Sequence, residues 1–137
     1  MTTVLVTGSK GQLGKTIEEL YAYHNLGVDF QFVTKTELDI TCEDKVVSFF
    51  KNKHYDYCIN CAAYTNVEQA EKTPEIAFQV NTEGVKNLSQ ACKETNTILI
   101  HISTDYVFDG QQKVPYKEDS FAAPVNRFGV AKLAAEQ

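Results

Sequence analysis

Apolar residues in this chain come in short dense runs, separated by stretches where they recur at helical spacing. "TVLVT" (Thr3–Thr7) is apolar and β-rich, which predicts a strand. Behind it Leu13, Ile17 and Leu20 recur at the period of a helix. "VDFQFVT" (Val28–Thr34) predicts a second strand. Thr41 is placed to cap a helix through "TCED", with Asp44 at the third position and Val46, Val47, Phe49 and Phe50 following. "YDYCIN" (Tyr55–Asn60) predicts a third strand. Thr73-Pro74-Glu75 marks a helix start with proline at the first helical position. Val85, Leu88 and Cys92 then mark the buried stripe of a long helix ending near Glu94. "TILIHIS" (Thr97–Ser103) predicts a continuous apolar strand, as expected in a sheet covered on both faces. His101 within it reads as a satisfied core histidine. A polar loop and a final helix from near Val125 complete the pattern. Strands separated by helices of this length imply parallel pairing and right-handed crossovers, so the fold class is α/β, a doubly wound parallel sheet.

The first strand runs into "VTGSKGQLG", which places Gly8, Gly11 and Gly14 at the turn and the start of the first helix. A pyrophosphate approaches backbone only where no side chain blocks it. The helix N-terminus then offers free N–H groups and a favourable dipole. A glycine turn that serves packing alone is the alternative. In NAD-binding forms of this motif an acidic residue ends the second strand and binds the ribose hydroxyls. Thr34 and Lys35 stand there instead, and a cation suits a 2′-phosphate, so the expected cofactor is NADPH, with NADH as the other choice. Lys35 as a solvated surface charge is the competing reading.

Composition narrows the picture further. The chain has 137 residues, 43% hydrophobic and 23% charged, with a net charge of −5. That balance argues against a protein that reads nucleic-acid backbones. No membrane span or signal-peptide pattern is visible. Cys42, Cys58, Cys61 and Cys92 are expected to stay reduced in the cytoplasm. Cys58 and Cys61 form a CxxC, but no second ligand pair accompanies it, and it lies on a strand rather than at a helix start. They read as small buried thiols, and no metal site is expected.

Several further stretches go beyond the glycine turn. They are "ELDIT" (Glu37–Thr41), "INCAAYTNVEQAE" (Ile59–Glu71), "VNTEGVKNL" (Val80–Leu88), "HISTDYVFDG" (His101–Gly110), "PYKED" (Pro115–Asp119) and "PVNRFGVAKLAAE" (Pro124–Glu136). In this order and spacing they resemble the N-terminal half of the dTDP-4-dehydrorhamnose reductase family of extended short-chain dehydrogenases/reductases. The resemblance implies a Rossmann-type NAD(P)-binding domain over residues 1–137. It further implies hydride transfer from NAD(P)H to the C4 ketone of a dTDP-linked 6-deoxyhexose, in dTDP-L-rhamnose biosynthesis. Carried over by position, Gly8, Gly11, Gln12, Leu13 and Gly14 would hold the pyrophosphate, and Asp39 and Ile40 would contact adenine. Ala62, Ala63, Tyr64 and Thr65 would border the ribose and nicotinamide. Thr104 and Asp105 match the substrate-contact and catalytic hydroxyl position, and Tyr106 would lie beside the sugar. Lys132 would bind the nicotinamide ribose and lower the pKa of a tyrosine one helical turn earlier.

Two departures from the family pattern stand out. The tyrosine position holds Phe128, which has no proton to give. Loss of a general acid typically costs about 10²–10⁴-fold in rate. The family chain is also about twice this length, so the resemblance implies that a substrate domain is absent after the active-site helix. The strand Thr97–Ser103 would then lack a neighbour. A homo-oligomer or a partner chain is expected, and the reductase is expected to be weak or inactive in this form. A non-catalytic nucleotide-binding or regulatory homologue is the main alternative. An epimerase or dehydratase on other nucleotide sugars is disfavoured by "STDYVFDG".

Overall fold

The computed structural model describes residues 1–24 and 27–137. Strands β1 (Thr2–Thr7), β2 (Val28–Phe32), β3 (Tyr57–Asn60) and β4 (Ile98–His101) pair in the order β2-β1-β3-β4. Every pairing is parallel, with Val6 opposite both Phe32 and Ile59, and Asn60 opposite His101. Between β1 and β2 lies α1 (Gln12–Tyr21), and α2 (Glu43–Asn52) precedes β3. After β3 come α3 (Val67–Lys72), α4 (Pro74–Phe78) and α5 (Gly84–Glu94), with α6 (Arg127–Glu136) last. The segment Gln79–Glu83 between α4 and α5 is a π-turn, so Pro74 to Glu94 runs as one helical rod with one wide turn in it.

Alternate strand residues point to opposite faces. Leu5, Cys58 and Leu99 face α2 and α5, where they join Val46, Phe50, Tyr55, Leu88, Ala91 and Cys92 in the main core. Phe49, Phe50 and Tyr55 stack and edge against one another there. The other face carries Val4, Val6, Phe30 and Phe32 on the β1–β2 side. Val4 and Val6 are buried, but Ile98 and Ile100 on β4 are 58% and 42% exposed. The expectation that Thr97–Ser103 is covered on both faces is therefore corrected. Only Leu99 reaches the main core, and the regular strand is shorter than expected.

Other local expectations are corrected too. Thr41 does not cap α2. Cys42 occupies that position without a side-chain bond, because Asp39 holds the Thr41 hydroxyl and N–H at 2.7 and 3.0 Å. The final helix starts at Arg127, capped by Asn126, whose side chain accepts from the Gly129 N–H at 2.7 Å. Leu13 and Leu20 on α1 are exposed, although the helix forms where expected. Pro74 does open its helix, and Val85, Leu88 and Cys92 are buried as the stripe predicts.

Candidate active site

The chain leaves β1 toward β2 on one side, then crosses back to place β3 on the other. Two loops therefore diverge at the carboxyl ends of β1 and β3. In an open parallel sheet that split is where a ligand crevice forms. Gly8 makes the first loop possible. Its φ is +62°, and a Cβ there would lie 2.5 Å from the Ala62 nitrogen. The close approach brings the glycine turn against the loop after β3. Gly11 closes the turn by donating to the Gly8 carbonyl at 3.0 Å and then precedes α1. The first N–H groups of α1 have no intrahelical acceptors, so they are free to receive an anion. A dinucleotide's pyrophosphate fits this cradle, because side chains are absent where it must approach.

Two hollows flank the turn. One, of about 230 Å³, is lined by Gly8, Gly11, Lys35, Asp39, Ile40, Ala62, Ala63 and Tyr64, among others. The other, of about 410 Å³, is lined by Gly11, Gln12, Leu13, Ala62, Ala63, Thr65, Thr104, Phe128 and Lys132, among others. They share Gly11, Cys61, Ala62 and Ala63, so they form the two wings of one crevice. The residues expected to hold a cofactor thus converge, except Gly14, which lies beneath the turn against the Gly8 carbonyl. Asp105 and Tyr106 line neither wing. They belong to a short 3₁₀ turn, Asp105–Val107, capped by the Thr104 hydroxyl, which accepts from the Tyr106 N–H at 3.2 Å.

The floor of the crevice is a row of polar side chains. Thr7 donates to Asn60 Oδ1 at 2.6 Å, and the Ala62 N–H also reaches that oxygen at 3.2 Å. With Oδ1 occupied, the Asn60 amide nitrogen faces His101 Nδ1 at 3.3 Å. This order makes Nδ1 the acceptor and places the ring proton on Nε2. Nε2 is buried with no partner among the described residues, so His101 is not the satisfied core histidine expected of it. Burial, with the Lys132 charge added, pushes its pKa down to about 4.

Lys132 is 4% exposed, and its ammonium donates to the Ile102 carbonyl at 2.6 Å. Burial lowers its pKa, against an upward pull from Glu136. One helical turn earlier, Phe128 is 7% exposed and packs with Ala70, Ala77, Tyr64 and Val67. Its ring meets that of Tyr106 edge-on, with centroids 5.8 Å apart. At the neighbouring Gly129 a Cβ would overlap the Tyr106 carbonyl oxygen, so α6 can sit this close to the 3₁₀ turn only with glycine there. The Thr82 hydroxyl donates to the Ala131 carbonyl at 2.8 Å and ties α6 to the π-turn.

Four structural residues escaped the sequence reading. Asn60 and Thr7 order the floor. Buried Asn81, in the π-turn, accepts from the Tyr64 N–H and donates to the Tyr64 carbonyl, both at 2.8 Å. Glu37 folds back onto Thr34, its Oε1 accepting from the Thr34 N–H and hydroxyl, both at 3.1 Å. Only Asn60 left a signal, as a lone amide ending an apolar strand. Of the two CxxC thiols expected to be buried, Cys58 is buried but Cys61 is only half-buried and lines both wings of the crevice. The Cys58 pKa is raised, first by its hydrogen bond with Cys92 and then by burial, and burial also raises that of Cys61. A reactive pair would need the opposite shift. Among the described residues no His, Cys, Asp or Glu group is arranged to hold a metal ion. No helix among them is long and apolar enough to cross a membrane.

Sheet order, parallel pairing and the glycine turn together define a Rossmann-like α/β fold. The family model for the RmlD substrate binding domain matches residues 1–137, and the chain belongs to that family. It is 39% identical to a dTDP-4-dehydrorhamnose reductase of Aggregatibacter actinomycetemcomitans over 100% of this chain and 46% of the relative. It is 43% identical to one of Mycolicibacterium smegmatis over 98% of this chain and 40% of the relative. The chain therefore spans less than half the length of these curated relatives. Among solved structures, a dTDP-4-dehydrorhamnose reductase from Bacillus anthracis in complex with NADP superposes with a TM-score of 0.94 at 37% identity. That match covers 99% of this chain and 48% of the other. One from Clostridium acetobutylicum gives the same score and identity, over 98% of this chain and 48% of the other.

Proposed function

We propose that residues 1–137 form the NAD(P)-binding domain of a dTDP-4-dehydrorhamnose reductase-type protein, acting on the C4 ketone of a dTDP-linked 6-deoxyhexose. In this form it reduces that ketone weakly or not at all. One observation carries the reading: the glycine turn shares a crevice wing with Thr104, Phe128 and Lys132. The Gly8–Gly14 turn would hold the pyrophosphate, Asp39 and Ile40 the adenine end, and Ala62 to Thr65 the ribose and nicotinamide. The Asp39 carboxylate is kept charged, its pKa lowered first by the Thr41 hydroxyl bond. A bound nicotinamide supplies the hydride. Lys132, anchored on Ile102, has further N–H donors for a ribose. Thr104 and Asp105 would contact the sugar, with Tyr106 beside it. The NADP in the Bacillus anthracis relative supports a nicotinamide cofactor, and Lys35 in the adenine wing supports NADPH.

A second reading, a nucleotide-binding protein without turnover, is favoured by Phe128. A phenylalanine packed in an apolar cluster cannot protonate the alkoxide that hydride transfer leaves. A cytoplasmic setting fits both readings. The exposed Ile98, Ile100 and Ile102 support association with a second copy or a partner chain, and a clean monomer by sedimentation at high concentration would count against it. Titration with NADPH and NADH, followed by NADPH oxidation in the presence of dTDP-4-dehydrorhamnose, tests the function. Binding with little or no turnover is expected. Failure of folded protein to bind either nucleotide would refute the cofactor assignment.

A further inference from the structure

In NAD-binding sheets of this type, the second strand ends on an acidic side chain that accepts from the adenosine ribose. Here β2 runs out into Thr34, which has no carboxylate. The chain brings one there by another route. A tight turn follows, in which the Glu37 and Leu38 N–H groups both donate to the Thr34 carbonyl, at 3.1 and 2.9 Å. The turn swings the Glu37 side chain back over its own start. Its Oε1 accepts from the Thr34 N–H and from the Thr34 hydroxyl. These bonds pin an exposed carboxylate at the end of β2, and both fall on one of its two oxygens. Lys35, Leu38 and Asp39 line the adenine wing of the crevice, and Glu37, which lies between Lys35 and Leu38 in the chain, stands outside that lining.

We infer that Glu37 is a specificity-determining residue, standing in for the missing strand-end acid and opposing Lys35 in the choice between NADH and NADPH. The inference rests on the reading of the crevice as an NAD(P) site. A ribose 2′-hydroxyl can donate to a carboxylate. A 2′-phosphate brings only negative charge and acceptor oxygens, so it is repelled by the same group. The Thr34 N–H and hydroxyl, which could otherwise receive a phosphate oxygen, are already taken by Glu37. Lys35, two residues away, pulls in the opposite direction. Two opposed charges in one turn make a site that takes both nucleotides with weak discrimination.

The test is binding, read by nucleotide fluorescence or calorimetry, with thermal melts to show that each variant is folded. Glu37→Gln keeps the side chain's length and an oxygen that can accept from Thr34, and removes only the charge. The Kd for NADH divided by that for NADPH should rise about tenfold in Glu37→Gln, the order expected of one charge near a solvated surface. It should fall in Lys35→Met and stay within about threefold of the unmodified ratio in the charge-preserving Glu37→Asp. If both nucleotides bind and Glu37→Gln leaves the ratio unchanged or lowers it, the role of Glu37 is refuted while the cofactor reading stands. An equal rise in Glu37→Asp and Glu37→Gln also refutes it, because charge would not be the cause. If the folded, unmodified chain binds neither nucleotide, the cofactor reading falls, and this inference with it.

Discussion

At the carboxyl ends of β1 and β3, Thr7, Asn60 and the Ala62 amide satisfy one another, and Gly8 fits against that loop with no room for a methyl group. One strand further on, His101 has a buried nitrogen without a partner among the described residues, and Phe128 has no hydroxyl to present. The two regions share a crevice but differ in completeness. The polar groups of the cradle are paired with one another. The region where proton transfer would occur has its lysine in place and its acid missing. Under the proposed function, binding and turnover should then be separable.

The largest effect should come from supplying the acid. Under the proposed function, Phe128→Tyr should raise the rate of NADPH oxidation with dTDP-4-dehydrorhamnose about 10²–10⁴-fold. A chain that turns over at a typical enzyme rate with Phe128 intact would show that the proton comes from elsewhere. In the cradle, Gly8→Ala should weaken NADPH binding about 100-fold and cost roughly 2–4 kcal/mol of stability, through a positive φ and a backbone collision. Titration and urea unfolding measure the two effects separately.

The smallest expected effect concerns the unpartnered histidine. The folded pKa of His101, about 4, lies below the ordinary 6.5, so the unfolded chain binds the extra proton between those values. Stability should therefore rise with pH across that window, and the native penalty for charging the ring is complete below about pH 4. Half-burial and solvent screening hold the effect to about 1–2 kcal/mol. His101→Gln should flatten the dependence of the urea midpoint between pH 4 and 6.5. An unchanged slope would show that the ring is more hydrated than its surroundings suggest.

Sequence reading served the two regions unequally. Gly8, Gly11 and Gly14 were legible because a turn without Cβ atoms is a local demand, written in neighbouring residues. Pro74 and the stripe Val85, Leu88 and Cys92 were legible for the same reason. The exposure of Ile98 and Ile100 was not, since an apolar run states a preference for burial without saying what will cover it. Glu37 was missed because the rule looks for an acid on the strand itself, whereas here a turn returns one from three residues on. Thr41 was misread because Asp39 captured its hydroxyl first. In these last two misses a contact within three residues along the chain displaced the local pattern.

The π-turn has a consequence for how this chain can vary in length. Asn81 offers Tyr64 an acceptor and a donor together, as the peptide of an adjoining strand would. A side chain on a helical rod thus stands in for one more rung beyond the last strand residue. The wide turn holds one residue more than an α-turn, so removing a single residue from Gln79–Glu83 would close it to ordinary α-helix and displace its side chains from their present positions. Asn81 and the Thr82 bond to α6 could not then both keep their places. The rod works as a counter: its residue number, as much as its side chains, keeps the crevice wall and the last helix in phase.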